Sequence, residues 1–594
     1  MAATSHHSFA DRVGSAPSST SCGPARELEH RRSELTADSV VVFGNGAFQR
    51  LLLAFAQVAI FVSKAQTSVQ MLTAKSFRYW CRAPSEYSYM STAKWFHSGI
   101  PQRPDGSYSH CTRYERPRVL GSEPSFSEVP CQHWYYNLTA DGYTAVEEWD
   151  LVCDRVWLLE IANAVFMCGS VVCVPIMGLA SDRYGRRPVL YASVAVLYGS
   201  SVFQCFTTSL STYVGLGFLL LASCSVLELT TSILLFESTP IVTREEFVAL
   251  AVCVPTALAP VYRSAVGLFA DQWRTMHLAV AAPSLLLIIV VYLTGESLDW
   301  LIACGKFEEA ERAALWAAEL NHEEPDHVKE RLAAFTSGGP LGSGRLLRPG
   351  RPGFHALFSG PRRYVFFATF ACWFTSYIGR FSLPFDQVGV QIGEFKWTGF
   401  VLNLLGMTSS YFITKGCGYF GPLVVSSLLC ASAVAAQLIL SVYHMLVLSV
   451  WALTVSFVFF NMTYVFLCIH TVEIFPTRMR SMGFAFSYMC GSLGAVTAAL
   501  VQHMERMLPH SLKLLPRGLS SLAIACCYLG LFLVPTNVKE ESTDGLKEAA
   551  LGRKRSSSHI SLSDDTERRR AAMRFGDDFA APKGSERDAG VPRV

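Results

Sequence analysis

The chain has 594 residues, of which 51% are hydrophobic and only 16% are charged, and its mean hydropathy is positive. Soluble domains carry about 25% charged residues, so this composition excludes an ordinary water-facing globular protein. The formal net charge of +3 is too small to indicate a nucleic-acid partner. Apolar runs of about 20 residues recur along the chain, each long enough to cross the ~30 Å of a bilayer as a helix. The sequence therefore predicts an all-α, polytopic membrane protein embedded in a lipid bilayer.

We predict about twelve transmembrane spans, each close to the ~20 residues that a membrane helix needs. They begin near Leu51, Trp157, Val189, Thr212, Phe247, Thr275, Tyr364, Trp397, Pro422, Met445, Met482 and Leu515. An even number of spans places both termini on the same side of the membrane. The predicted fold is two six-helix halves joined by a long loop.

Basic residues in the short connections set the orientation. They follow spans two, four, eight and ten, all on one side: Arg183, Arg186, Arg187, Arg244, Lys415, Arg478 and Arg480. The positive-inside rule makes that side cytoplasmic. We therefore predict a multi-pass protein of the plasma membrane with both termini in the cytoplasm.

The predicted organisation has five parts. Residues 1–50 and 537–594 are polar and are predicted to be disordered cytoplasmic tails. Residues 51–295 form the first half, with an extracellular loop at 75–155, and residues 364–536 form the second half. Residues 296–363 form a cytoplasmic loop, in which 306–335 favour helices and 338–353 are a Gly/Pro-rich linker.

The long outer loop carries two signs of an oxidising compartment. Asn137-Leu138-Thr139 is an acceptor pattern for N-glycosylation, so we expect a glycan on Asn137. Four cysteines form an even set with three possible disulfide pairings: Cys81, Cys111, Cys131 and Cys153.

The stretch GLASDRYGRRP, Gly178 to Pro188, places a charged turn between spans two and three. It fits G-x-x-x-D-R-x-G-R-R, a signature of the major facilitator superfamily. Gly178 permits close helix approach, and Gly185 permits an unusual backbone angle. Asp182 can accept bonds from a helix N-terminus and pair with arginine. We predict a cytoplasmic gate that includes Arg183, Arg186 and Arg187, against the simpler alternative of a positive-inside topology signal.

From about Gly46 to Pro535 the chain resembles the organic cation/anion/zwitterion transporter family, which is solute carrier family 22-like. The ordered phrases that carry the resemblance are GAFQR (46–50), EEWDLVC (147–153), QWR (272–274), GESLDWL (295–301) and VEIFPTRMRSMG (472–483). Glu237 and Arg244 have the family's spacing at the exit of span four. The resemblance implies a major facilitator fold and adds four members to the predicted gate: Glu237, Arg244, Glu473 and Arg478.

Departures from the family pattern indicate its divergent, orphan branch. Gly217 stands where the family has an arginine early in span four, and Met489 stands at the charged position of span eleven. The turn after span eight, KGCGYFGP, lacks the arginine pair of the first half. GESLDWL replaces the family's Pro, Pro and Arg, and the phrase after span twelve is altered to VPTN (534–537).

Charged residues inside spans are costly and are therefore candidates for substrate binding. Four stand out: Lys64, Glu228, Arg263 and Arg380. Snorkelling to the membrane interface is the alternative for Arg263 and Arg380. A structural ion pair is the alternative for Lys64 and Glu228, whose expected depths differ by several ångströms.

These patterns predict a secondary-active or facilitative transporter of small organic ions, with anions or zwitterions favoured because three candidates are basic. The alternative is a non-transporting cell-surface receptor or scaffold with a secreted protein ligand at the outer loop. The sequence has no P-loop, no dinucleotide turn and no zinc-like Cys/His spacing, so we expect no enzyme activity, no metal and no cofactor.

Overall fold

The computed structural model describes residues 40–72, 79–103, 106, 108–117, 127–136, 144–270, 272–336, 363–382, 398–443, 445–507 and 522–529. The first-half helices are α1 (Val40–Phe43), α2 (Ala47–Leu72), α3 (Thr92–Gly99), α4 (Ala145–Glu148), α5 (Val156–Tyr184), α6 (Arg186–Gln204), α7 (Leu210–Glu237), α8 (Arg244–Gly267) and α9 (Trp273–Val290). The connecting helices are α10 (Leu298–Ala303), α11 (Phe307–Asn321) and α12 (Pro325–Thr336). The second-half helices are α13 (Arg363–Ser382), α14 (Thr398–Cys417), α15 (Phe420–Val442), α16 (Leu446–Ile474) and α17 (Arg480–Met507).

The predicted fold class is confirmed: the chain is an all-α, multi-pass membrane protein. Within the described ranges, 8 helices are long and apolar enough to cross a bilayer: α2, α5, α7, α8, α9, α15, α16 and α17. Helices α6, α13 and α14 lie at the positions of predicted spans three, seven and eight. Residues 522–529 are helical, whereas the predicted start of span twelve at Leu515 falls outside the described residues.

Glycines let helices within each half approach closely. A side chain at Gly169 of α5 would meet the backbone oxygen of Phe218 in α7 at 2.2 Å. A side chain at Gly494 of α17 would meet the backbone oxygen of Phe374 in α13 at 2.3 Å. Lipid tails are as apolar as the helix surfaces, so helices in a membrane gain little from burying apolar side chains. They associate through close van der Waals contact, which small residues allow. The halves then meet along two seams, α5 against α17 and α8 against α14.

The connecting helices pack against the start of the first span. Asn321, the last residue of α11, donates to the carbonyl oxygens of Phe43 and Gly44 at 3.1 and 3.0 Å. Its side-chain oxygen accepts from the backbone N–H of Phe48 at 2.9 Å. These bonds satisfy an N–H at the beginning of α2 and two carbonyls at the end of α1, all of which helix ends leave without helical partners. The phrase GAFQR therefore forms a fixed junction between span one and the connecting helices.

The segment between α2 and α5, here called the loop domain, contains two small antiparallel sheets. One pairs β1 (Tyr79–Cys81) with β4 (Trp134–Tyr136), and the other pairs β2 (Thr112–Tyr114) with β3 (Glu128–Pro130). The predicted cysteine set forms two disulfides, Cys81–Cys131 and Cys111–Cys153. The second one ties the loop domain to the start of α5. Asn137, the predicted glycosylation site, lies outside the described residues.

An ion pair fixes the base of the loop domain to α9. The guanidinium of Arg274 donates two hydrogen bonds to the carboxylate of Glu148, one to each oxygen, and the bond to Oε1 is 2.6 Å long. The indole N–H of Trp273 donates to the same carboxylate at 2.8 Å. Burial alone would raise the pKa of Glu148, but the bonds from Arg274 and Trp273 outweigh it and hold that pKa below its ordinary value.

The disulfide pairing can be checked by peptide mapping. Digestion of the unreduced protein should yield cross-linked peptides for Cys81–Cys131 and for Cys111–Cys153. Cys111→Ser and Cys153→Ser should lose the tether to α5 to a similar extent, since each breaks the same bond. Recovery of Cys81 linked to Cys111, or of four free thiols, would contradict the pairing.

The Glu148 pair predicts loss of stability in acid. Because the pKa of Glu148 is lower in the folded protein than in the unfolded chain, its contribution is present above about pH 4.3 and falls as the pH drops through the folded value. Glu148→Gln should therefore lower the unfolding temperature at pH 7. Below pH 5, the unfolding temperature of this variant should fall less steeply with decreasing pH than that of the parent. Glu86→Gln, on an exposed turn of the loop domain, serves as the control. An unaltered pH profile in Glu148→Gln would contradict this role.

Candidate functional site

The charged turn between α5 and α6 is built on two glycines. Gly185 has a backbone φ of +111°, a conformation that L side chains rarely adopt. A side chain at Gly178 would lie 2.4 Å from the Cβ of Ala485 and 2.9 Å from the carbonyl oxygen of Ser481. Both neighbours belong to α17 of the other half. The motif glycines therefore allow the turn to form and the two halves to touch at this end of the bundle, here called the gate end.

Asp182 caps the first turn of α17. Its carboxylate accepts from the backbone N–H groups of Met482 at 2.8 Å and Ser481 at 3.3 Å. Helix N-termini present unpaired N–H donors and a positive dipole end, so a carboxylate there is stabilising. This contact crosses between the halves. It has the form that the sequence predicted for Asp182, although its role in gating remains a prediction.

Glu237 is the centre of the gate end. This buried carboxylate, at the last residue of α7, accepts two bonds from Arg186, at 3.1 and 3.0 Å. It accepts a third from Arg480 at 2.9 Å. A charge removed from water requires close partners and satisfied hydrogen bonds. Here two arginines from different halves of the protein converge on one carboxylate.

The connection after α9 completes this cluster. The hydroxyl of Ser297 donates to Glu237 at 2.6 Å. The carboxylate of Glu296 accepts from the backbone N–H groups of Arg186 and Arg187, at 2.9 and 3.0 Å, and thus caps α6. The indole N–H of Trp300 donates to the carbonyl oxygen of Asp182 at 2.9 Å. The first half, the second half and the connecting segment therefore share one hydrogen-bonded network.

Some predicted gate residues lie at the edge of this network. Arg183 is exposed, with its guanidinium over the ring of Tyr184. Arg187 reaches the carbonyl oxygen of Tyr292 at 3.4 Å, and Arg244 donates to the carbonyl oxygen of Thr239. Glu473 is exposed and hydrogen bonds with Tyr419. The side chain of Arg478 lies outside the described part of the structure.

Four members of the network were not predicted as gate residues: Arg480, Glu296, Ser297 and Trp300. Arg480 was used only as a sign of orientation, although it is the first residue of α17. The other three lie in GESLDWL, a phrase that indicated only a family resemblance.

The corresponding turn of the second half, between α14 and α15, is weaker. Gly418 has a φ of +72°, but the charged contact beside it is between Lys415 and Glu246, with N and O 3.9 Å apart. Both side chains are substantially exposed, at 56% and 33%. Exposed pairs contribute about 0–1 kcal/mol. The gate end is therefore held more strongly at the α5–α17 seam than at the α8–α14 seam.

A second polar cluster lies within the bundle. The ammonium of Lys64 in α2 lies 2.8 Å from the carboxylate of Glu228 in α7. Tyr464 of α16 bridges them, since its hydroxyl accepts from Lys64 at 2.9 Å and donates to Glu228 at 2.5 Å. Lys64 and Glu228 thus form the ion pair that the sequence left as the alternative, and the long, flexible lysine stem lets the ammonium reach the carboxylate. The pair joins two helices of the first half and contacts the second half through Tyr464.

Aromatic side chains of the second half surround this cluster. Trp373 lies with its ring centroid 6.1 Å from that of Tyr464 and 5.7 Å from that of Tyr488. The ring centroid of Tyr377 lies 5.7 Å from that of Trp373, and this half-buried side chain also contacts Tyr488. Such rings offer flat apolar surfaces with a polar hydroxyl. Sequence reasoning assigned none of these aromatic residues to the site, because aromatic residues are common in membrane proteins.

The other two predicted substrate residues occupy different surroundings. Arg380, near the end of α13, donates to the side-chain oxygen of Asn461 in α16 at 2.6 Å. Asn461 and Tyr464 lie three residues apart on one helix, so Arg380 is on the same side of α16 as the Lys64 cluster. Arg263 is half-buried in the last turns of α8.

The departures from the family pattern have structural counterparts. At Gly217 an added side chain would meet the ring of Phe166 at 2.3 Å and the amide of Gln70 at 3.0 Å, so an arginine has no room there. Met489 packs against an apolar cluster that contains Phe370 and Phe475. Among the described residues, no group of three or more His, Cys, Asp or Glu side chains could hold a metal ion.

Comparison with known proteins identifies the class. The sequence profile of the Major Facilitator Superfamily matches residues 158–499. Mouse organic anion transporter 3 is 28% identical over 480 residues, which are 78% of this chain and 85% of that protein. The beta-alanine transporter of Drosophila melanogaster is 25% identical over 476 residues, or 74% of this chain and 77% of that protein. Bovine solute carrier family 22 member 7 is 27% identical, covering 73% of this chain and 82% of that protein.

Solved structures agree on the fold. The proton:xylose symporter XylE bound to 6-bromo-6-deoxy-D-glucose has a TM-score of 0.56 at 15% identity, covering 83% of this chain and 97% of that structure. The E. coli xylose transporter in a partially occluded, inward-open conformation has a TM-score of 0.54 at 14% identity, covering 82% and 98%. These relatives are transporters and not enzymes. The chain belongs to the major facilitator superfamily, as the charged turn and the ordered phrases predicted.

Proposed function

We propose that this protein carries a small organic anion or zwitterion across the membrane by alternating access. The observation that supports this most is the cluster of Lys64, Glu228 and Tyr464, in which charges from the first half meet the second half inside the bundle. A lysine at the centre of a span costs about 2.5–3.5 kcal/mol by insertion scales, so its retention favours a functional role. Transporter sites lie at such contacts between halves.

The charges at this site favour a ligand with a carboxylate. Lys64 and Glu228 balance each other, and Arg380 adds a positive charge on the same side of α16. An anion can engage Arg380, whereas a zwitterion can also replace each member of the Lys64–Glu228 pair with its own charge. Relatives named as carriers of organic anions and of beta-alanine fit this chemistry. We include Arg263 in the proposal as a fourth residue that contacts the ligand.

The gate-end network supports the second part of the mechanism. In this conformation the network around Glu237 and Asp182 holds the halves together at one end of the bundle. We propose that this end is cytoplasmic and that it opens when Arg480 and the start of α17 separate from the first half. Both termini are then cytoplasmic, and the plasma membrane is the proposed location. The relatives give no support to a secreted protein ligand, so a receptor role is left as an outcome of the uptake test.

Variants of the Lys64 pair test the ligand site. Lys64→Ala should reduce folded yield, because it leaves the buried carboxylate of Glu228 without its charge partner. Adding Glu228→Ala should recover the yield but not the uptake of organic anions or β-alanine into cells. Lys64→Arg should keep part of the uptake, and Lys415→Ala, at an exposed lysine, should behave as the parent does. Full uptake by the double variant would contradict the assignment of the ligand to this cluster.

A variant at Asp182 tests the gate. Asp182→Ala removes the acceptor for two N–H groups of α17, and loss of a helix cap costs about 0.5–2 kcal/mol. Hydrogen exchange should therefore rise in residues 178–184 and 480–486, whereas ligand affinity should stay close to that of the parent. Arg312→Ala, at an exposed arginine of α11 outside this network, is the control. Parent-like exchange combined with weakened ligand affinity would place Asp182 in recognition rather than in the gate.

A further inference from the structure

A backbone carbonyl in α8 lacks its normal helical donor. In an α-helix the carbonyl oxygen of Thr256 would accept from the N–H of residue 260, but residue 260 is proline and has none. Inside a membrane an unsatisfied carbonyl is costly, so another donor must be present. The side-chain amide of Asn403 supplies it, with nitrogen and oxygen 2.7 Å apart. Asn403 belongs to α14, so this bond crosses the seam between the two halves.

The bond is the last of a chain that begins at Arg380. The guanidinium of Arg380 donates to the Oδ1 of Asn461, and the Nδ2 of Asn461 donates to the Oδ1 of Asn403 at 3.1 Å. Asn461 and Asn403 are both buried, at 0% and 5% exposure. This series of hydrogen bonds therefore runs from α13 through α16 and α14 to the carbonyl oxygen of Thr256 in α8.

The groups at both ends fix the donor-to-acceptor direction of this series of hydrogen bonds. A guanidinium can only donate, so Asn461 must turn its oxygen toward Arg380 and its nitrogen toward Asn403. A carbonyl can only accept, so Asn403 must turn its nitrogen toward Thr256. Asparagine orientations are often ambiguous, but here the two ends require the same one. Reversal of either amide would place like groups against each other at two positions.

We propose that Asn461 and Asn403 are positioning residues. Through them, the group that accepts a hydrogen bond from Arg380, whether Asn461 or a ligand carboxylate, affects the contact between α8 and α14. The role of Arg380 as a ligand contact rests on the proposed function. A ligand carboxylate that takes over Arg380 competes with the oxygen of Asn461 and frees that amide to rotate. The bond from Asn403 to α8 is then no longer held in one orientation, and the seam loses the contact that favours the present conformation.

The experiment measures the separation of α8 and α14 at the gate end without any ligand. Nitroxide labels are placed on Cys417, which is exposed at the end of α14, and on Val242→Cys in the exposed segment before α8. Cys22, Cys304 and Cys526 are replaced by serine in the full-length protein, reconstituted in nanodiscs. Pulsed dipolar spectroscopy then gives the populations of short and long distances, and thermal unfolding is measured on the same samples.

Asn403→Leu should raise the long-distance population by about two- to tenfold, as loss of one buried hydrogen bond implies. Arg380→Met should change it in the same direction, because it removes the fixed donor at the other end. Pro260→Ala restores an N–H for Thr256 and should give a smaller increase without lowering the unfolding temperature. This variant keeps the test decisive even where Asn403→Leu folds poorly.

The combined variant Asn403→Leu with Pro260→Ala separates coupling from simple repair of the carbonyl. If the chain couples Arg380 to the seam, the unfolding temperature recovers but the long-distance population stays raised. If Asn403 only satisfies the carbonyl, both return to the parent values, and the proposal is wrong. Parent-like distances in Arg380→Met would also overturn it. None of these measurements needs uptake, so failure to find a transported substrate would count against the proposed function alone.

Discussion

A buried carboxylate with two arginine partners is the constraint on which the gate end depends. Glu237 ends α7 with its carboxylate buried, and the charge is stabilised there because Arg186 and Arg480 both reach it. Arg186 follows the glycine turn, and Arg480 begins α17, so the pairing fixes the turn, the exit of α7 and the entry of α17 together. The close approach at Gly178 and the cap at Asp182 act in the same place. Separation of the halves at this end therefore leaves a charge to be satisfied by water or by new partners.

In the proposed transport cycle, the Glu237 network acts at the gate end and the Lys64 cluster acts in the middle of the bundle. The Glu237 network joins the halves through strong charged bonds. The Lys64 cluster contacts the second half through Tyr464, whose hydroxyl bridges the pair and whose ring centroid lies 4.6 Å from the ammonium of Lys64. A middle contact of this kind is easier for a ligand to replace than a fully buried network. At the α8–α14 seam the charged contact beside Gly418, between Lys415 and Glu246, is longer and more exposed. Asn403 contributes a hydrogen bond across that seam, to the carbonyl oxygen of Thr256.

The sequence predicted the membrane class, the positions of most helices and the charged turn, because apolar length and glycine geometry are local properties. It also predicted that Lys64 and Glu228 needed partners, but not that Tyr464 joins them, since Tyr464 lies 400 residues from Lys64 along the chain. Arg480 and Glu296 were missed for the same reason: their partners come from other segments. Four of the five quoted family phrases are nevertheless segments that meet in space. EEWDLVC contacts QWR through Glu148 and Arg274, and GESLDWL and VEIFPTRMRSMG both contact the charged turn.

Time-dependent accumulation in proteoliposomes tests the central claim most directly. The purified full-length protein would be reconstituted with confirmed insertion and exposed to a labelled panel of small organic anions and zwitterions that includes β-alanine. We expect saturable accumulation of at least one such compound above protein-free liposomes, reduced by unlabelled compounds that carry a carboxylate. Absence of accumulation across the panel, with the protein folded and inserted, would contradict a transport function and favour a receptor that keeps the transporter fold.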